Sequence, residues 1–514
     1  MAIRFRPDEQ PSNNNSNNNR GGGNGSGGKM LMAALFFVFR YPKIGIPLLI
    51  VGGIVYFFMG GFGGGSSAND QNNMYGMGGR IDQEKYDKTL VYPALSTSSN
   101  KYGLAKAASL RANAPRRLNQ GSQGSCVGWA SAYAARTILE SVATGAPPNS
   151  IAYSPSFLYN QIGLQNCQGA YTGEALQHMT QKGLVAFSKF AYNENDCSRK
   201  PDNQLLREAM EHRIRGYNRL TRSGKNYDVD LEAVKQNIAQ GAPVIIAMKV
   251  PYSFQDMMGK KVWQPSRSDA RGIDNLGGHA MCLIGYDDDK QLFEIMNSWG
   301  EDWGDQGFVF VPYDAFKTFC REAYGVFPHG KAKTASTTEF AIQCGLYNLK
   351  NKSAIPVRRV RDNLFETTQK IAKGTGFKIE ITNALECYAY VFSKETEADG
   401  GAAIVVFPPN RQYSTFLGIV GTRLFPDGGE LYPDDKGDKD YMAIVYSKKE
   451  LNPEQLRQQI DNANTGNYHD DVMKAVGSNA FTNINYKDNQ GYIAFNQTTR
   501  NDDDIAVVVI AVDK

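Results

Sequence analysis

The sequence is poor in the residues that carry metal, nucleic-acid or multi-disulfide chemistry. Histidine occurs 5 times and cysteine 7 times in 514 residues. No group of the two has metal-ligand spacing, which argues against a zinc site and leaves no metal or other cofactor to expect. Net charge is only +4, and no basic helix or aromatic RNA motif accompanies it, so nucleic acid is not an expected partner. An odd number of cysteines leaves at least one unpaired within the chain, as a nucleophile would be. Long uncharged runs are scarce too. Only Ile44 to Phe62, 19 residues, is long enough to cross a bilayer as a helix.

That run organises the N-terminal part. Residues 1–29 are asparagine- and glycine-rich, cannot bury a core, and read as disordered. Residues 30–62 form a membrane anchor region with its span at 44–62. Arg4, Arg6, Arg20, Lys29, Arg40 and Lys43 precede the span and only Arg80 follows closely. The positive-inside rule then puts the N-terminus in the cytoplasm and the rest in the periplasm or outside the cell, on a single pass. A cleaved signal peptide ending near Ser66-Ser67-Ala68 is the alternative; the long region before the span favours an uncleaved anchor. Residues 63–90 read as a flexible stalk.

Residues 91–330 read as one folded domain. Helical signals come first, at Cys126 onward, Ser154 to Tyr159, Thr172 to Gln181 and Leu231 to Ala239. Strands follow at Val244 to Met248, Ala280 to Tyr286, Leu292 to Met296 and Gly307 to Val311. Segregated elements of this kind predict α+β. Residues 331–338 read as a linker. Residues 339–514 read as a smaller, mainly-β domain, a sandwich or barrel with one or two helices, one of them starting at Asn452-Pro453-Glu454. It contains no catalytic constellation, and its one histidine, His469, is expected at the surface.

The chemistry gathers around Asn119-Gln120-Gly121-Ser122-Gln123-Gly124-Ser125-Cys126-Val127-Gly128-Trp129-Ala130. A cysteine at a helix N-terminus meets unpaired amides and the positive end of the helix dipole, which favour the thiolate. A lone cysteine is more often a core residue; the downstream residues overturn that reading. His279 stands in Gly277-Gly278-His279-Ala280-Met281 at a strand start, and Asn297-Ser298-Trp299-Gly300 lies on the next hairpin. An asparagine carbonyl fixes the tautomer and plane of an imidazole, and a flanking indole shields that bond from water. Cysteine, histidine and asparagine in this order make a nucleophile, a base and its orienting group.

The stretch Gln120 to Cys126, then Gly278-His279-Ala280, then Asn297-Ser298-Trp299-Gly300 with Trp303-Gly304 and Gly307, resembles the papain-like cysteine peptidases. The intervals of 153 residues from Cys126 to His279 and 171 to Asn297 agree with it. The resemblance covers about Ala108 to Val326. It implies a two-lobed catalytic domain, one lobe helical and one β-rich. It implies Cys126 as nucleophile, His279 as base and acid, Asn297 as its orienting group, and the Gln120 amide with the Cys126 N–H as oxyanion donors. Gly169, Gly173, Gly278 and Trp299 are expected along the substrate. Gln123 stands where the family usually has a disulfide cysteine, so Cys167 needs another partner, and Cys197 is the expected one. Val127-Gly128 separate the nucleophile from Trp129, whereas the family usually has tryptophan directly after it. The family's long helical propeptide has no counterpart, since the stretch between the span and Val91 is short and glycine-rich. The accessory domain resembles an uncharacterised bacterial β-rich domain attached to peptidases and kinases, and is expected to bind an envelope partner.

The resulting expectation is a membrane-anchored cysteine endopeptidase acting on a peptide or protein substrate through an acyl-enzyme, with the Cys126 thiol lowered by pairing with His279. Two alternatives keep the fold: a catalytically silent scaffold, and a transpeptidase using the same triad.

Overall fold

The computed structural model describes residues 4–7, 75–96, 104–221, 228–328, 339–395, 402–433 and 437–514. The span at 44–62, the linker at 331–338 and nearly all of segment 1–29 lie outside them. Among the described residues no helix is long and apolar enough to cross a membrane.

The helical run that starts at Cys126 continues through Cys126–Gly128, Trp129–Arg136 and Thr137–Thr144. Its middle part is widened to π-type pairing, a local form that often accompanies functional sites. Every residue from Cys126 to Leu139 is buried, so this is a central helix covered on all sides. Gly145 ends it in the left-handed conformation, at φ +70°, which a glycine adopts without Cβ strain. The helices Pro155–Ile162 and Thr172–Gln181 pack beside it. The first is set by Ser154, whose hydroxyl accepts the Phe157 N–H, and by Pro155 in the first turn.

Against these helices stands a seven-stranded sheet. Its strands run in the order Ile214–Arg219, Cys320–Pro328, Val244–Lys249, Gly278–Asp287, Leu292–Met296, Phe308–Pro312, and Ala107–Ser109 also pairs with Gly278–Asp287. Val244–Met248, apolar throughout, is wholly buried in the middle of the sheet. Its register sets Met248 opposite His279 and Lys249 opposite Gly278. The fold is the expected α+β one, a helical lobe and a β-rich lobe facing each other.

In the accessory region two sheets of eight and seven strands stack, and the helices Pro453–Ala463 and Tyr468–Val476 cover the outer face of the second. The alternation of a strand explains both layers. In Lys439–Ser447, Met442, Ile444 and Tyr446 enter the core between the sheets, while Ala443 and Val445 enter the core under the helices. Ile505–Asp513 divides in the same way. This is a sandwich rather than a barrel, with two helices. The short strand Arg4–Pro7 adds to it, pairing antiparallel with Gly429–Tyr432, and Arg6 meets Glu430 at 2.9 Å.

Two expectations fail. His469 is buried, because its helix packs on the sheet; its Nε2 lies 2.6 Å from Asn363 Oδ1 and its Nδ1 2.7 Å from Asp470 Oδ1. The stalk 63–90 is not a loose connector over its second half. Gly79–Arg80 is a strand, Gln83–Asp87 is a helix capped by Asp82, and Tyr86 is 2% exposed. Glycine density was read as flexibility, whereas here it permits close backbone approach.

Candidate active site

Cys126 opens the central helix and is fully buried. Its sulfur accepts the Ala280 N–H at 3.4 Å and also faces the amides of Val127, Cys126 and Gly78. The helix start is held by a firm polar frame rather than a flexible lead-in: Gln120, Gln123 and Ser125 are all buried, and Ser125 Oγ lies 2.7 Å from Tyr192 Oη.

His279 enters from the adjacent sheet strand. Its Nε2 lies 2.7 Å from Asn297 Oδ1, which makes Nε2 the donor and leaves Nδ1 as the acceptor of a neutral ring. That Nδ1 is buried with no hydrogen-bond partner. Trp299 stacks on the imidazole, with centroids 4.3 Å apart and planes 22° from parallel. Asn297 Oδ1 also receives the Ser298 N–H. Gln120 sits nearby: its Oε1 accepts from Ser298 Oγ at 2.6 Å, and its Nε2 donates to Gln123 O at 2.8 Å. Ser298, a motif residue to which the sequence assigns no role, therefore ties Gln120 to the asparagine hairpin.

Burial disfavours the charged form of both the thiol and the imidazole. Burial pushes the Cys126 thiol up to about 11, although four backbone amides oppose the shift. Burial also pulls His279 down to about 4 against the Asn297 bond. The expected thiol lowered by an imidazolium is thus corrected. Both groups are desolvated and the charged pair is disfavoured.

The cause of that desolvation is the chain itself. Residues Tyr75 to Asp82 run through the site. Tyr75 stacks on Trp299, with centroids 4.8 Å apart. Gly76 N donates to Gly121 O at 3.2 Å, and Trp299 Nε1 donates to Gly76 O at 3.1 Å. Ala170 N donates to Gly78 O at 2.9 Å. Gly79–Arg80 pairs in parallel with Ala170–Tyr171, and the Arg80 guanidinium donates to Gln168 O. A Cβ on Gly78 would lie 2.1 Å from Gly124 O, and one on Gly169, at φ +112°, would lie 2.3 Å from Gly78 O. Both positions require glycine because two backbones touch there. The atom that Gly78 presents to the sulfur is its N–H, and its carbonyl oxygen is held by Ala170.

Among the other expected positions, Gly169 borders this segment directly. Gly278 borders it through Gly79 O, 2.0 Å from where a Cβ would be. Gly173 lies away from it; a Cβ there would meet only Tyr324 Oη, at 3.7 Å. Cys167 and Cys197 are joined by a disulfide, with Cα atoms 6.0 Å apart. Among the described residues no cluster of histidine, cysteine and acidic side chains has the form of a metal site.

Glu322 was not anticipated. It is buried at the far end of the segment and accepts the Asp82 N–H at 3.4 Å and the Tyr324 hydroxyl at 3.2 Å. Desolvation raises its carboxyl to about 7, against donation from Asp82, Tyr324 and Thr172. No motif announces it, because its surroundings bring two distant segments, at Asp82 and Thr172, against its own strand. A carboxyl raised in the folded state stabilises the fold fully below its unfolded value near 4.5, and that contribution is lost as pH rises through about 7. Between pH 5 and pH 8 the protein is expected to lose roughly 2–3 kcal/mol of stability that a Glu322→Gln variant keeps. Urea unfolding at the two pH values checks this, and parallel curves for both proteins would contradict it.

Residues 110–324 match the family described as papain family cysteine protease. An uncharacterized peptidase C1-like protein of Acanthamoeba polyphaga mimivirus is 28% identical over 207 residues, covering 38% of this chain and 64% of the relative. A cysteine protease of Blomia tropicalis is 29% identical over 214 residues, covering 39% of this chain and 58% of the relative. The chain thus spans less than two thirds of the length of these relatives. Among solved structures, xylellain, a cysteine protease from Xylella fastidiosa, is 21% identical with a TM-score of 0.41, covering 50% of this chain and 97% of that one.

Proposed function

We propose that this chain is a cysteine endopeptidase that hydrolyses peptide bonds of a peptide or protein substrate through a covalent acyl-enzyme. Cys126 Sγ attacks the carbonyl carbon, and His279 Nδ1 takes the thiol proton and returns it to the leaving amine. A water deprotonated by the same nitrogen then releases the acyl group. Asn297 holds the ring through Nε2 and so leaves Nδ1 for the thiol. Gln120 Nε2, which keeps a second N–H beyond its bond to Gln123, joins the Cys126 amide as oxyanion donor. The observation that carries the reading is the His279 ring, bonded through Nε2 to Asn297, roofed by Trp299 and left with an unpartnered Nδ1, on the residue next to Ala280, whose N–H meets the Cys126 sulfur.

The test is a peptidyl epoxide applied to a Gly78→Val form of the full chain, in which the added side chain displaces the segment from the cleft. Mass spectrometry is expected to find Cys126 alone labelled, with the label absent in Cys126→Ala and strongly slowed in His279→Ala. Slow labelling of several of the five free cysteines, indifferent to His279, would instead make the domain a silent scaffold. Products formed with an added amine separate hydrolysis from transpeptidation.

The membrane placement is a proposal of the same kind: a single anchor at 44–62, the N-terminus in the cytoplasm, and the enzyme in the periplasm or outside. It rests on the charge asymmetry around the uncharged run. The strand Arg4–Pro7 favours a second reading, since a strand bonded to the accessory sheet at Gly429–Tyr432 lies on that domain's side of any membrane. Protease treatment of intact cells separates the two. Digestion of the accessory domain with protection of an N-terminal tag supports the single pass, and equal fates for both ends support the paired strand.

A further inference from the structure

The segment that fills the cleft does not end there. After the Gln83–Asp87 helix it continues as an extended stretch, Leu90 to Ser96, between the catalytic sheet and the accessory sandwich. On the catalytic side, Arg219 N donates to Leu90 O at 3.0 Å and Tyr92 N donates to Arg219 O at 3.3 Å. Arg219 also reaches back to Asp87 Oδ1 at 2.6 Å. On the accessory side, Val91 N donates to Gln412 O at 2.7 Å, Ser414 N donates to Val91 O at 2.9 Å, and Ser96 N donates to Thr422 O at 2.8 Å. Arg423 Nε donates to Pro93 O at 3.0 Å.

Arg423 is the strongest of these ties. It is 1% exposed, and its other donors go to Asn383 Oδ1, Gly421 O and Ile419 O, all neutral oxygens. A buried guanidinium is tolerable only while its N–H groups are satisfied. Pro93 O supplies part of that satisfaction, so lifting the segment off the accessory domain leaves a buried cation short of an acceptor. The two domains are also bonded beside this stretch. Gln240 and Val420 exchange a reciprocal pair of 2.8 Å bonds, and Arg215 pairs with Glu386 and donates to Lys448 O.

We propose that the accessory domain is a latch on the peptidase. By gripping Val91 to Ser96 against the catalytic sheet, it holds Tyr75 to Asp82 in the cleft, and the enzyme opens when that grip is loosened. The latch rests on the peptidase reading above. It also gives the accessory domain a task that needs no chemistry of its own.

The test uses the full chain. Arg215→Ala with Gln240→Ala loosens the docking without touching the segment, the sulfur or the histidine. Hydrogen exchange at Leu90 to Ser96 is expected to rise. Epoxide labelling of Cys126 is expected to quicken about tenfold or more, as loss of several docking bonds shifts an occluded population. Val420→Pro, which removes the Val420 N–H at an exposed position, repeats the comparison should the double variant lose its fold by thermal unfolding. Faster exchange with labelling unchanged overturns the latch, and so does no change in either. Gly78→Val, acting at the cleft end alone, separates the two readings. Fast, His279-dependent labelling there preserves the peptidase whichever way the latch falls. Labelling indifferent to His279 there removes the peptidase reading and the latch with it.

Discussion

Replacing His279 with alanine in the Gly78→Val background is expected to slow acylation of Cys126 by about 10²–10⁴-fold, the range that a positioned proton acceptor contributes. The argument starts from the thiol. Burial holds it near 11 in the occluded protein, so at neutral pH almost all of it is protonated. Opening the cleft restores water and removes much of that shift, but attack still requires the proton to leave in step. Among the described residues, the imidazole nitrogen at the site without a hydrogen-bond partner is His279 Nδ1. Asn297→Ala is expected to cost less, roughly 10- to 100-fold, because it deletes one buried hydrogen bond of about 1–3 kcal/mol and lets the ring turn. Rates measured with a fluorogenic peptide across pH would show His279→Ala losing the acid limb of the profile, while Asn297→Ala keeps a shifted one. Equal small losses in both would contradict the assigned roles.

Removal of the Cys167–Cys197 disulfide, by Cys167→Ser with Cys197→Ser, is expected to cost roughly 3–4 kcal/mol of stability. The bridge closes a 30-residue separation, and a loop of that length holds about this much chain entropy in the unfolded state. The loss should also reach the cleft. Cys167 adjoins Gln168 O, which binds Arg80, and Gly169 and Ala170, which hold Gly78. The variant is therefore expected to show a lower denaturation midpoint and faster labelling of Cys126 together. An unchanged midpoint in guanidinium would mean that native strain cancels the entropy term. A lowered midpoint with unchanged labelling would confine the bridge to a structural role.

Much of the fold was legible in the sequence because local pattern and final packing agree. Leu231 to Ala239 reads as an amphipathic helix and is one, set by Asp230 as its cap. Val244 to Met248 reads as a buried strand because it is apolar throughout, and it lies in the middle of the sheet. The strands Ile505–Asp513 and Lys439–Ser447 were legible as strands, but their double-sided burial was not. Only the assembled helix layer shows why both faces are apolar. His469 went wrong for the same reason, since a lone polar residue in a polar-looking stretch carries no sign of the sheet that covers it.

The sequence by itself determined which chemistry the site can attempt. Cys126, His279 and Asn297 are pointed to by residue type and order along the chain, and Gln120 by the resemblance its motif carries. Only the tertiary structure decided the state of that chemistry. The thiol's rise and the imidazole's fall come from burial, and the stretch Tyr75 to Asp82 that covers the site is remote in sequence from all four groups. Glycine is ambiguous in one dimension: the same Gly-Met-Gly-Gly run suits a loose tether or a backbone pressed against Gly124 and Gly169. What resolves it is a backbone approach so close that an added Cβ would lie 2–3 Å from a segment far away along the chain, and sequence pattern has no access to that distance.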